Sequence, residues 1–139
     1  MAAALSIDGL PPDQLTVLLV EDEVLLRADL ADAIRDAGYG VIEMPHADAA
    51  RDILNSAMEV HLVCTDVRMP GSLNGIELAR WIKEHRPALP VIVVSGEMTA
   101  RHFPIVADAT FTKPLDYAQL IARIDELLAP LRKCSGSCS

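Results

Sequence analysis

What most constrains this chain is its rhythm: five short apolar runs rich in Val, Leu and Ile alternate with longer stretches of helical period. The runs are Thr16 to Val20, Gly40 to Met44, His61 to Thr65, Pro90 to Ser95 and Asp108 to Thr112. That alternation predicts a parallel α/β sheet, because neighbouring parallel strands need a crossover long enough to hold a helix. Val17-Leu18-Leu19-Val20 and Val91-Ile92-Val93-Val94 are apolar at every position. Strands covered by helices on both faces read this way.

The helical stretches carry their own boundaries. Glu23 to Ala37 spaces Leu26, Leu30 and Ile34 on one face and is followed by Gly38, suited to a left-handed C-terminal cap. Asn74 to His85 opens with Asn74 and Glu77 in capping-box spacing, and Pro87 stops it. Asp116 and Gln119 repeat the spacing before a last helix that runs to about Ala129, with Leu120, Ile124 and Leu127 inward and Pro130 as its end. Pro45 to Ala57 predicts a weaker, Ala-rich helix. Too few residues separate Ser95 from Lys113 for a full helix and a strand, so the fourth helix is short, about Met98 to Phe103, with Pro104 ending it.

Composition narrows the function classes. At 139 residues the chain has one domain's length, and 51% hydrophobic residues exclude an acidic disordered tail. The net charge of −8 and an aromatic content of only 4% leave neither the cations nor the rings that nucleic acid requires. No stretch is apolar enough for a bilayer. Met1 to Leu15 lacks a basic n-region, so it does not read as a signal peptide. Three cysteines, Cys64 in an apolar run and Cys134 and Cys138 in a Ser/Gly-rich tail, point to a reducing cytoplasm. The expected organisation is an N-terminal extension (1–14), one domain (15–130) and a flexible C-terminal tail (131–139). His46, His61, His85 and His102 have no paired metal spacing and read as structural, as does Trp81.

Open parallel sheets bind ligands beyond the carboxyl ends of their strands. Those ends are chemically rich. The first run leads into Glu21-Asp22-Glu23, the third into Asp66, the fourth into Ser95-Gly96, and Lys113-Pro114 follows the fifth. Singly, these are a helix N-terminal charge, a turn cap, a loop and a solvated lysine. Together they place carboxylates, a hydroxyl and an ammonium on one rim. Converging carboxylates repel, and keeping them ionised requires a cation. With no His or Cys nearby, oxygen-ligated Mg²⁺ (or Mn²⁺), completed by a phosphate, suits them. Asp66, with a metal and Lys113 to neutralise phosphoryl oxygens, then has what an acyl-phosphate nucleophile needs.

The segments Val17-Leu18-Leu19-Val20-Glu21-Asp22-Glu23, Thr65-Asp66-Val67-Arg68-Met69-Pro70-Gly71, Val94-Ser95-Gly96 and Thr112-Lys113-Pro114 resemble the receiver domain of two-component response regulators. The resemblance covers about Leu15 to Pro130. It implies a doubly wound (βα)5 fold with the flavodoxin-like strand order 2-1-3-4-5. It makes Asp66 the phosphoacceptor and assigns direct metal contacts to Asp22 and Asp66, a water-mediated one to Glu21, and a backbone carbonyl ligand to Arg68. Lys113 pairs with the phosphoryl group, Ser95 is the switch hydroxyl, and the Lys113–Pro114 bond is typically cis in the family. Arg68 and Glu97 flank the site, and a salt bridge between them would hinder an attacking water and prolong the life of the phosphoryl group.

Three departures bear on the output face. The family carries Tyr or Phe three residues before its Lys; here Thr110 stands there and Phe111 follows it, one step away and so on the opposite strand face. Either a bulge restores Phe111 or the aromatic half of the switch is missing. The link from Asp66 to Gly75 is one residue longer than usual, and the fourth helix is truncated.

The resemblance therefore implies a stand-alone, cytoplasmic response regulator, not an enzyme in the usual sense. It takes a phosphoryl group from a sensor histidine kinase or histidine phosphotransfer protein and signals to a further protein by contact or relay, as a monomer or a phosphorylation-dependent dimer. Its first helix and rim loops face the kinase, and the surface around the short fourth helix, fifth strand and last helix faces targets. The alternatives are a phosphorylation-independent pseudo-receiver and a phosphohydrolase of the haloacid-dehalogenase type. The latter requires a second Asp where Arg68 stands.

Overall fold

The computed structural model describes residues 14–67, 74–96 and 107–137. Their elements are β1 (Thr16–Val20), α1 (Val24–Asp36), β2 (Gly40–Met44), α2 (Ala47–Leu54), β3 (Leu62–Asp66), α3 (Gly75–His85), β4 (Val91–Ser95), β5 (Ala109–Thr112) and α4 (Tyr117–Ser137). The strands form one parallel sheet in the order β2-β1-β3-β4-β5, as the resemblance implies. The chain leaves β1 toward β2 on one side and returns to β3 on the other. The crevice above β1 and β3 is thus the topological switch point where such sheets bind ligands.

The alternation of side chains along each strand divides the core in two. Leu18, Val20, Val63, Val91 and Val93 pack with Ala50 and Leu54 of α2 and Leu78, Ala79 and Ile82 of α3. Val17, Leu19, Leu62, Cys64, Ile92 and Val94 pack with Leu30, Ala31 and Ile34 of α1 and Leu120, Ile124 and Leu128 of α4. The fully buried stripe of α4 thus continues through Leu128, and Leu127 lies beside it, partly buried against the same cluster.

Local chemistry sets the element ends. Asn74 and Glu77 form the anticipated capping box, with Glu77 N–H donating to Asn74 Oδ1 at 2.9 Å and Asn74 N–H to Glu77 Oε1 at 3.0 Å. Asp116 Oδ1 accepts from Gln119 N–H at 3.2 Å at the start of α4. Gly38 takes the positive φ of 103° that terminates α1. α2 begins later than the sequence pattern indicates because His46 is its cap, Nδ1 accepting from Ala49 N–H. β3 begins at Leu62 rather than His61, whose imidazole Nδ1 takes the Thr16 N–H at 2.9 Å.

Two expectations need adjustment or fall elsewhere. α4 does not stop at Pro130 but continues to Ser137, with the proline inside it. Pro130 lies on the exposed side, so the carbonyl it leaves without a helical donor is open to hydration and the interruption is tolerated. The short helix expected at Met98 to Phe103 lies outside the described residues. Among those described, no helix is long and apolar enough to cross a membrane.

Candidate functional site

The rim expected from the strand ends is assembled. Asp66 closes β3, Ser95 closes β4, Glu21 and Asp22 follow β1, and Lys113 follows β5. Glu21, Asp22 and Asp66 each present a carboxylate oxygen within 4.8 Å of the others, with Glu21 and Asp66 buried and Asp22 exposed. Lys113 Nζ donates to Asp66 Oδ2 at 3.1 Å and lies 3.4 Å from Glu21 Oε1. Ser95 is fully buried, and its carbonyl accepts the Lys113 N–H at 2.8 Å, which ties the end of β4 to the lysine. The Lys113–Pro114 peptide is cis. Arg68 and Glu97 lie outside the described residues.

The electrostatics follow from crowding two buried carboxylates against one ammonium. Burial, and then the adjacent Asp66, push the Glu21 carboxyl up to about 7, against the opposing pull of Glu23 N–H and Lys113. Burial works against the Lys113 charge, but Asp66 and Glu21 outweigh it and hold the ammonium above its ordinary pKa. Cys64, wholly buried beneath the site, has its thiol pushed up to about 12 by burial and by Glu21 and Asp66. It is an inert core residue.

Sequence patterns did not single out the groups that hold the backbone of Asp66. The hydroxyl of buried Thr65 donates to the Asp66 carbonyl at 3.0 Å. Gly75, at the head of α3, packs so closely that a Cβ there would lie 1.8 Å from the same carbonyl oxygen. Contacts to main-chain oxygens leave no residue-type signature. The requirement for glycine at that point was the one available clue.

The anomaly on β5 is settled in one respect. β4 and β5 pair in unbroken single steps, Val93 with Thr110, Val94 with Phe111 and Ser95 with Thr112, so no bulge within β5 carries Phe111 to the Thr110 face. Phe111 packs on the α1/α4 side, and Thr110 is exposed. The histidines within the described residues have structural partners: His46 caps α2, His61 accepts from Thr16, and His85 stacks on Trp81 with ring centroids 4.5 Å apart.

A parallel sheet in this order, with carboxylates, a hydroxyl and a lysine on its carboxyl rim, defines a receiver-type α/β domain. The chain belongs to the response regulator receiver domain family, whose family model matches residues 17–125. It is 32% identical over 108 residues to a response regulator receiver protein of Anaeromyxobacter, an alignment covering 78% of this chain and 43% of the relative. The chain thus spans less than half of that relative's length. The crystal structure of a response regulator receiver protein from Sinorhizobium medicae superimposes with a TM-score of 0.77 at 29% identity, covering 84% of this chain and 95% of that one. The response regulator TrrA of Thermotoga maritima, crystallised in complex with Mg²⁺-BeF, gives 0.77 at 23% identity and 83% and 100% coverage.

Proposed function

We propose that this chain is a phosphorylation switch in which Asp66 accepts a phosphoryl group from a histidine kinase or a histidine phosphotransfer protein. The observation that carries this reading is the convergence of the Lys113 ammonium on Asp66 within the Glu21, Asp22 and Asp66 carboxylate cluster. These donors are hard oxygens, with no imidazole or thiolate among them, and they fit Mg²⁺ or Mn²⁺. Asp22 and Asp66 would hold the ion directly, Glu21 through water, and Arg68 through its carbonyl. Bound there, the ion supplies charge neutralisation for the incoming phosphoryl oxygens.

The chain's own groups do the rest. An Asp66 carboxylate oxygen attacks phosphorus as the bond from phosphorus to the donor imidazole breaks. Lys113 exchanges its carboxylate contacts for a phosphoryl oxygen, and the Ser95 hydroxyl donates to another. Arg68 and Glu97 would stand over the product and slow the approach of water. With Phe111 on the opposite face, the switch at Thr110 works without an inward-swinging ring.

The surroundings suit a protein donor. Val24 and Leu25 are 64% and 76% exposed, next along the chain to Leu26. Leu26 helps line an open groove of about 600 Å³ with Lys113, Pro114, Leu115 and Tyr117. An apolar patch of this kind beside Asp66 fits a docking phosphodonor. Such donors draw on ATP, which fits a cytoplasmic domain with output through protein contact or onward transfer around β5 and α4.

Incubation with a small acyl phosphate and Mg²⁺, followed by intact-mass measurement, tests the proposal. The expected result is a gain of one phosphate that disappears with a chelator and in Asp66→Asn. Sustained turnover of the donor would instead indicate a hydrolase, and no reaction with either an acyl phosphate or a phosphorylated kinase would indicate a pseudo-receiver.

A further inference from the structure

Glu21 is held at every polar atom it owns. Its N–H donates to the Met44 carbonyl at the end of β2 at 3.1 Å. One carboxylate oxygen, Oε2, accepts from Glu23 N–H at 3.1 Å, and the other, Oε1, faces Lys113. The remaining atom, its carbonyl oxygen, accepts from Arg27 Nη1 at 2.8 Å. That last bond comes from a side chain with an awkward seat. Arg27 is only 18% exposed, and its buried Nε makes no hydrogen bond, facing Glu43 Oε1 as an ion pair at 3.5 Å. Glu43 is in turn held from the other side by Arg35 Nη2 at 3.0 Å.

The consequence for the cluster comes from the planarity of the peptide bond. The Glu21 carbonyl and the Asp22 N–H belong to one rigid plane, so fixing the carbonyl fixes the direction in which the chain enters Asp22. Asp22 is the exposed member of the carboxylate cluster, on a loop whose next residue, Glu23, makes no side-chain cap to α1. Among the described side chains, Arg27 reaches that peptide plane from the helix, and β2 holds Arg27 through Glu43.

We infer that Arg27, oriented by Glu43, is a positioning residue that aims Glu21 and Asp22 at a shared divalent cation. This rests on the reading of Glu21, Asp22 and Asp66 as a cation site. Groups that orient ligands rather than bind the metal typically alter affinity by about tenfold or more when removed.

The test is Mg²⁺ binding to the unphosphorylated full chain by titration calorimetry, alongside thermal unfolding in chelator. Arg27→Met is expected to weaken Mg²⁺ binding about tenfold. Arg27→Lys, which keeps the charge and one donor, should fall between it and the wild type, and Glu43→Gln should weaken binding in the same direction by less. Ile34→Val, a core change on α1, is the control: it should lower the unfolding midpoint and leave Mg²⁺ affinity unchanged. Wild-type affinity in Arg27→Met would overturn the inference. Should Arg27→Met fail to fold, wild-type affinity in Arg27→Lys would overturn it equally. A loss of affinity in Ile34→Val matching that in the Arg27 variants would reduce Arg27 to a general stabilising role. No Mg²⁺ binding by the wild type would instead overturn the cation site itself.

Discussion

At the scale of single residues, the chemistry of the site was legible because acids, a hydroxyl and an ammonium fall where strands end, and strand ends are readable from apolar runs. The state of those acids was not legible, because it depends on burial. Glu21, ordinarily near 4.5, is pushed up to about 7. Between those values the folded, metal-free protein holds a proton that the unfolded chain has released, so the unfolded state binds fewer protons. Stability therefore falls as pH rises through that window and levels off above it. Thermal unfolding in chelator across pH 4.5 to 8 should show this decline, and Glu21→Gln should flatten it. A wild-type midpoint that rises over the same interval would show that Glu21 is not the buried, proton-retaining acid.

At the scale of elements, sequence patterns located every described strand and helix, and the misjudged ends have physical causes. His46 and His61 are instructive, since each spends a ring nitrogen on a backbone N–H, one capping α2 and the other accepting the Thr16 N–H at the start of β1. No propensity scale encodes either substitution. Proline usually stops a helix, yet on the exposed face of α4 the carbonyl that Pro130 frees one turn earlier can turn to water. The head of α3 packs closely on the end of β3. Gly75→Ala would press a Cβ into the Asp66 carbonyl, 1.8 Å away, and either that backbone or the helix must move. We expect a loss of about 1–3 kcal/mol, typical of overpacking, together with slower phosphorylation, measured by denaturant unfolding and by the acyl-phosphate reaction. Unchanged stability would mean that α3 is free to shift away from Asp66.

At the scale of the whole molecule, doubly wound topology turns scattered residues into a site. Glu21 and Lys113 are far apart in sequence, yet each follows a strand of the same parallel sheet, and parallel strands deliver their ends to one rim. The two-sided core lies beneath that rim, with aliphatic side chains filling both faces. Aromatic scarcity is a global trait with a local consequence. One of only two phenylalanines lies on the α1/α4 face of β5, leaving Thr110 to occupy the outer side. The strand pairing made this plain, whereas the sequence alone left a bulge open.

The central claim is that Asp66 is the group that carries the phosphate, and the most direct measurement is chemical. Reaction with an acyl phosphate and Mg²⁺, reduction with borohydride and peptide sequencing by mass spectrometry would mark a phosphorylated aspartate as homoserine. Homoserine at position 66, formed only when Mg²⁺ is present, is the predicted result. Homoserine at Asp22 or another aspartate, or none after a verified phosphate gain, would contradict it.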